Sequence, residues 1–188
     1  MHEYSYTSIN VLDLEESFRP EFTHEETVEA LRSACETNGF LIIQNHGISS
    51  ELIKETERQA KGFFAQPYET KALSKAPTGV FRGYTPVEKS ALSLSRDVET
   101  PPDVCEIFSM NRFDDQGVAE KCGLKEGRED FFAPNIWPSN LPGFKETLQS
   151  YYAAMEGLAD HLMRLSALAL DLEENWFKGK ITDHITNL

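Results

Sequence analysis

The longest patterned stretch of the chain runs from Pro142 to Leu172 and reads PGFKETLQSYYAAMEGLADHLMRLSALALDL. Its large apolar residues, Phe144, Leu148, Tyr151, Met155, Leu158, Leu162, Leu165 and the Leu168–Ala169 pair, recur at the three-and-four spacing of one helical face. Pro142 suits the first turn, where its fixed φ is helical and its missing N–H has no partner to lose. About thirty residues at roughly 1.5 Å each predict a rod of roughly 45 Å. Between Leu162 and Leu170 only Arg164 and Ser166 are polar. The apolar surface there wraps most of the way round, as in a helix buried on more than one side.

Shorter elements precede it. Thr7–Leu14 (TSINVLDL) sets Ile9 and Val11 against Asn10, Leu12 and Asp13, a short-strand pattern. Thr23-His24-Glu25-Glu26 reads as a capping box opening a helix to about Asn38, with Val28, Leu31 and Cys35 inward and Gly39 as a left-handed stop. Phe40–Ile43 predicts a buried strand, and Asn45-His46-Gly47 a turn. Ser49 or Ser50 caps a second helix bearing Leu52, Ile53, Thr56, Ala60, Phe63 and Phe64 on one side; Pro67 ends it, and Tyr68–Ser74 adds a further turn or two. Residues 76–103 hold six glycines and prolines at Pro77, Gly79, Gly83, Pro86, Pro101 and Pro102, which reads as one long loop. Val104–Met110 predicts a strand, residues 114–130 a mobile surface insertion, and Glu173–Phe177 a short helical turn.

Composition narrows the function classes. At 188 residues and 40% apolar the chain is expected to make one α+β domain, or one large piece of a domain, with a real core. A net charge of −13 argues against nucleic acid and anionic membrane surfaces as partners. Cys35, Cys105 and Cys122 have no zinc-like or CxxC spacing, so reduced thiols and a cytoplasmic location are the expectation. MHEYSYTSIN has neither the basic start nor the apolar run of a signal peptide, and no window is apolar over the length of a bilayer span.

GFLIIQNHGIS followed by a helix and FFAQPYETK, then Gly83-Tyr84, the acidic residue of DVCEIF, the NIWP segment and the PGF…YY…L…LALDL…NWF helix fall in one order from Ile9 to Leu188. This series resembles the N-terminal region of the iron(II)- and 2-oxoglutarate-dependent oxygenases of the isopenicillin N synthase-like type. The resemblance implies that residues 1–188 form a single dioxygenase N-terminal-type domain. That domain would be the helix-rich subdomain of a double-stranded β-helix (jelly-roll) oxygenase, with the barrel largely outside this chain. The parent enzyme would use Fe(II) and 2-oxoglutarate to hydroxylate, desaturate or cyclise a small organic substrate. An oxidase of the same fold without 2-oxoglutarate, or a non-catalytic binding or scaffold module, are the alternatives.

The family's HxD…H triad places two imidazoles and a carboxylate on one face of iron(II), leaving positions for oxoacid and dioxygen. Nothing equivalent is found among His2, His24, His46, His161 and His184. His24 and Glu26 are two apart in a helical first turn and point roughly 200° apart. His46 is read as bonded to nearby backbone in its turn, His161 as a partly exposed polar position, and His184 as structural. No catalytic residue and no metal ligand is assigned, so this chain alone is expected to bind neither cofactor and to be inactive. Arg82 and Tyr84 are the candidate substrate-binding residues, because the family's corresponding loop borders the barrel mouth. Arg82 offers a bidentate fork to a carboxylate or is a surface arginine; Tyr84 hydrogen-bonds or packs. Glu106 either lines the pocket or is a buried structural carboxylate. The apolar ring at Leu162, Met163, Leu165, Leu168 and Leu170 is expected to need a partner. A missing C-terminal half or a second copy, packed on helix 142–172, would supply it.

Overall fold

The computed structural model describes residues 9–19, 24–80, 82–87, 105–114, 126–127, 131–182 and 184–188. Thr23, Phe81, Val104, Cys122, Asp183, the whole of 88–103 and most of the 114–130 insertion lie outside the described residues. The chain divides into two compact units, residues 1–49 with 153–182 and residues 50–152 with 183–188.

In the first unit β1 (Asn10–Asp13) pairs in parallel with β2 (Leu41–Gln44), Val11 beside Ile42 and Leu12 beside Ile43. Leu12 and Leu14 are fully covered by Leu31 of α1 (Glu25–Thr37) and by Leu165 and Ala169, with Val28, Leu41, Ile43, Leu158 and Leu162 around them. The buried face of α1 carries Thr27, Leu31 and Ala34; Cys35 turns out to be exposed. His24 is the residue before α1, at φ 60°, and makes no capping bond with its side chain. Gly39 closes the helix at φ 73°, its N–H reaching Ala34 O at 3.1 Å, the left-handed stop its position predicts. Asn45 and Gly47 turn the chain at φ 52° and 77°, and His46 Nδ1 accepts the Ile48 N–H at 3.1 Å.

The long helix is α4 (Phe144–Ala169), shorter than expected at both ends. It stops because Asp171 takes up a left-handed conformation (φ 58°) and the Leu172 N–H reaches back to Ala167 O at 2.9 Å. Arg32 of α1 holds that Asp171 carboxylate with two bonds of 2.8 and 3.1 Å. His161 is not partly exposed but buried, at 5% exposure. Its ring stacks on Phe18 at 4.3 Å, Nε2 meets Ser17 Oγ at 2.8 Å, and Nδ1 faces an Arg164 guanidinium nitrogen at 3.2 Å. Because the Ser17 hydroxyl already donates to Leu14 O, it must accept from Nε2–H, which leaves Nδ1 to accept from Arg164. The ring is therefore held neutral.

In the second unit α2 (Ser50–Phe64), α3 (Tyr68–Lys71), a 3₁₀ turn at Ala72–Ser74, β3 (Gly83–Thr85), β4 (Ile107–Ser109) and the first turns of α4 enclose an aromatic core. Phe63, Phe108 and Phe144 lie 5.0–5.4 Å apart, with Tyr84, Met110, Leu148 and Tyr152 filling the remaining space. Tyr152, not Tyr151, takes the core position, and its hydroxyl donates to Thr186 O at 2.8 Å. β3, inside the predicted loop, pairs antiparallel with β4, which is shorter than the predicted strand. Leu188 exchanges backbone hydrogen bonds of 2.9 and 3.1 Å with Met110, so the last residues continue that pairing. Gly83 is required in β3: at φ 74°, a Cβ would lie 2.3 Å from Ser74 O.

Gly83→Ala is expected to cost about 2–4 kcal/mol, strain and overpacking together. Gly39→Ala, at similar φ but with open space around it, should cost only about 1–2 kcal/mol. Chemical denaturation of both variants compares them; equal losses would contradict the close approach. A second expectation concerns His161, whose pKa lies below its ordinary 6.5 through burial first, then Arg164 and His24, against Asp160 and Glu174. The unfolded chain then takes up a proton that the folded one resists. Stability is full above about 6.5 and falls as the pH drops below it, a slope that His161→Gln should flatten in thermal melts.

Candidate functional site

The sequence candidates Arg82 and Tyr84 stand either side of Gly83, Arg82 just before β3 and Tyr84 within it, and both side chains are internal, at 2% and 1% exposure. The two reach different partners. Arg82 donates through one terminal nitrogen to Asn187 Oδ1 at 2.8 Å and through the other to the Phe131 carbonyl. Burial holds its guanidinium below its ordinary pKa. Tyr84 donates its phenol to Glu106 Oε1.

Glu106 precedes β4 and is the centre of the group. Lys71, the last residue of α3, donates to both carboxylate oxygens at 2.6 and 2.7 Å and to Phe64 O at 3.2 Å. With three donors on three acceptor atoms its ammonium is saturated, at 6% exposure. The Lys71 bond, then the Tyr84 bond, hold the Glu106 carboxyl below its ordinary range against the effect of burial. Burial and then Glu106 push Tyr84 up to about 12. The arrangement is a closed ion pair with a phenol attached. It fixes α3, β3 and β4 to one another through bonds to both Glu106 oxygens.

Lys71 was not singled out from the sequence. The usable signal is Glu106 itself: a carboxylate inside an apolar strand pattern demands a cation, because an unpaired buried charge is costly. Of the histidines, His46 and His161 are bonded as described above. Among the described residues no three His, Cys, Asp or Glu side chains converge on a possible metal position. No helix among them is long and apolar enough to cross a membrane.

The family described as non-haem dioxygenase in morphine synthesis, N-terminal, matches residues 9–140. Azadirone synthase of Melia azedarach is 32% identical over 154 residues, covering 81% of this chain and 43% of that protein. A 2-oxoglutarate-Fe(II) type oxidoreductase of Emericella nidulans is 34% identical over 154 residues, covering 80% and 42%. Among solved structures, Neurospora crassa T7H in complex with alpha-KG aligns with a TM-score of 0.70 at 23% identity, covering 90% of this chain and 49% of that one. A 2OG-Fe(II) oxygenase family protein of Caulobacter crescentus aligns with a TM-score of 0.71 at 24% identity, covering 92% and 52%. The fold and the match together define a helix-rich oxygenase N-terminal region. The chain belongs to the iron(II)/2-oxoglutarate-dependent oxygenase family, and it spans less than half the length of these curated relatives.

The phenol gives a direct readout of this site. Tyr84 should ionise late, near pH 12, in an ultraviolet phenolate titration. A raised acid pKa means that stability is kept below the ordinary value of 10.0 and lost as pH climbs from there toward 12. Tyr84→Phe should remove the late step and cost about 1–2 kcal/mol. A titration with no late step, or with a late step that Tyr84→Phe leaves in place, would contradict the pairing.

Proposed function

We propose that this chain is the N-terminal portion of a non-haem iron(II)- and 2-oxoglutarate-dependent dioxygenase that hydroxylates, desaturates or cyclises a small organic substrate. The observation that supports it is the family match over residues 9–140, by a chain that spans 41–44% of several relatives' lengths. When bound, iron with 2-oxoglutarate supplies dioxygen activation. The described residues do not fit such a centre, since they bring no ligand cluster together. In this reading the ligands belong to the part of the protein this chain does not span.

The role of the chain's own residues is support. Lys71, Glu106 and Tyr84 hold β3 rigid, and Arg82 ties β3 to the 184–188 segment through Asn187. For Arg82 to meet a substrate carboxylate, its guanidinium must first leave Asn187 and Phe131. Arg82 and Tyr84 are therefore proposed as positioning residues for the substrate side of the fold.

The test is an iron(II) titration, with succinate formation from 2-oxoglutarate as second readout, on the 188-residue chain and on the whole protein its gene encodes. The whole protein is expected to bind iron stoichiometrically and form succinate, and the chain alone to do neither. Tight binding by the chain alone would overturn the assignment of ligands elsewhere. A whole protein that binds no iron would leave the scaffold reading in its place.

A further inference from the structure

The β1–β2 sheet is covered on one face only. Leu12 and Leu14 are at 2% and 0% exposure, whereas Val11 and Ile42, side by side in the register, are at 54% and 53%. Ile9 and Phe40, each one residue before the first paired rank of Asn10 and Leu41, are at 51% and 69%. The apolar stripe ends at the next polar rank. There Asp13 accepts from Gln44 Nε2 at 2.7 Å and from Asn45 Nδ2 at 2.9 Å, so its polar groups are satisfied within the chain. An apolar centre with a self-satisfied polar border is the anatomy of a contact surface.

We infer that the open face of β1–β2, formed by Ile9, Val11, Phe40 and Ile42, is the docking surface for an apolar layer from the part of the protein that relatives possess and this chain does not span. The inference rests on the function proposed above. Parallel strand pairs are normally covered on both faces, and two strands are marginal without further cover. A second copy is the poorer occupant. Each copy carries a net charge of −13, and like charges repel. Four half-exposed side chains also fall short of the roughly 800 Å² per partner of a stable free interface. A tethered segment escapes that requirement, because linkage keeps it at high effective concentration. The relatives are long enough to supply one, since this chain spans 43% of the first and 41% of the second.

Maleimide labelling tests the surface. Val11→Cys and Ile42→Cys are made separately in a background where Cys35, Cys105 and Cys122 are serine, with Glu57→Cys on exposed α2 as control. Each is prepared both as the 188-residue chain and as the whole gene product. Labelling at Val11→Cys and Ile42→Cys should be fast in the chain and at least about ten-fold slower in the whole protein, where reaction requires local opening; the control should not change. Equal rates in both preparations overturn the inference. Slow labelling already in the chain, with the mass of a dimer in solution, overturns it in favour of a second copy. A gene product no larger than 21.3 kDa that labels freely overturns it too. Protection in a whole protein that binds no iron supports the docking surface while removing the function it was built on.

Discussion

A helix of 26 residues without an internal breaker has to find cover for apolar side chains on almost every turn, and α4 meets that demand with two different kinds of partner. Phe144, Leu148 and Tyr152 pack into rings from α2, β3 and β4; Leu165 and Ala169 pack into the aliphatic side chains of β1, β2 and α1. Burying one such side chain stabilises by roughly 1.5–3 kcal/mol, so each set is comparable with the whole margin of a domain, roughly 5–15 kcal/mol. The short strands around α4, three or four residues each, have little ladder of their own. Their place is set by what they cover.

Polar groups of the described residues enter these cores in connected sets. Lys71, Glu106 and Tyr84 satisfy one another and the Phe64 carbonyl. Ser17, His161 and Arg164 form a chain of one-way bonds that ends on Leu14 O. Asn111 and Asn135 exchange bonds of 2.9 and 2.7 Å between main chain and side chain. Low dielectric makes each of these bonds stronger and each missing partner more costly, which makes them registration devices more than sources of net stability. Gly83 belongs with them, since only a residue without a Cβ lets β3 come up against Ser74 and bring Tyr84 to Glu106.

Much of this order is legible in the sequence. The α4 periodicity, the Gly39 stop and the Asn45-His46-Gly47 turn are local signals, and local signals survive folding. What was hidden depends on distant partners. Residues 83–85 look like loop because Gly83 and Pro86 bracket them; they become a strand through pairing with residues 107–109. Asp171 ends α4 in a conformation that glycine usually takes, and Arg32, far away in sequence, is what holds its carboxylate. His161 reads as a surface residue beside Asp160, and only the 3₁₀ turn at Glu16–Phe18 buries it. Lys71 sits in a four-residue helix with no pattern at all; its importance is visible only from the carboxylate it neutralises.

Arg82 and Tyr84 have the best claim to a ligand in the sequence, and both hydrogen-bond to groups of their own unit. A catalytic centre needs supporting elements held to within a fraction of an ångström, and rigidity of that kind is bought by saturating the bonds of the support. A portion whose polar side chains are spent on one another can hold a site steady without contributing an atom to it. Relatives with names as different as azadirone synthase and homoarginine-6-hydroxylase share this portion at 32% and 31% identity. A fold held in common by proteins of different names does not by itself fix what each one acts on.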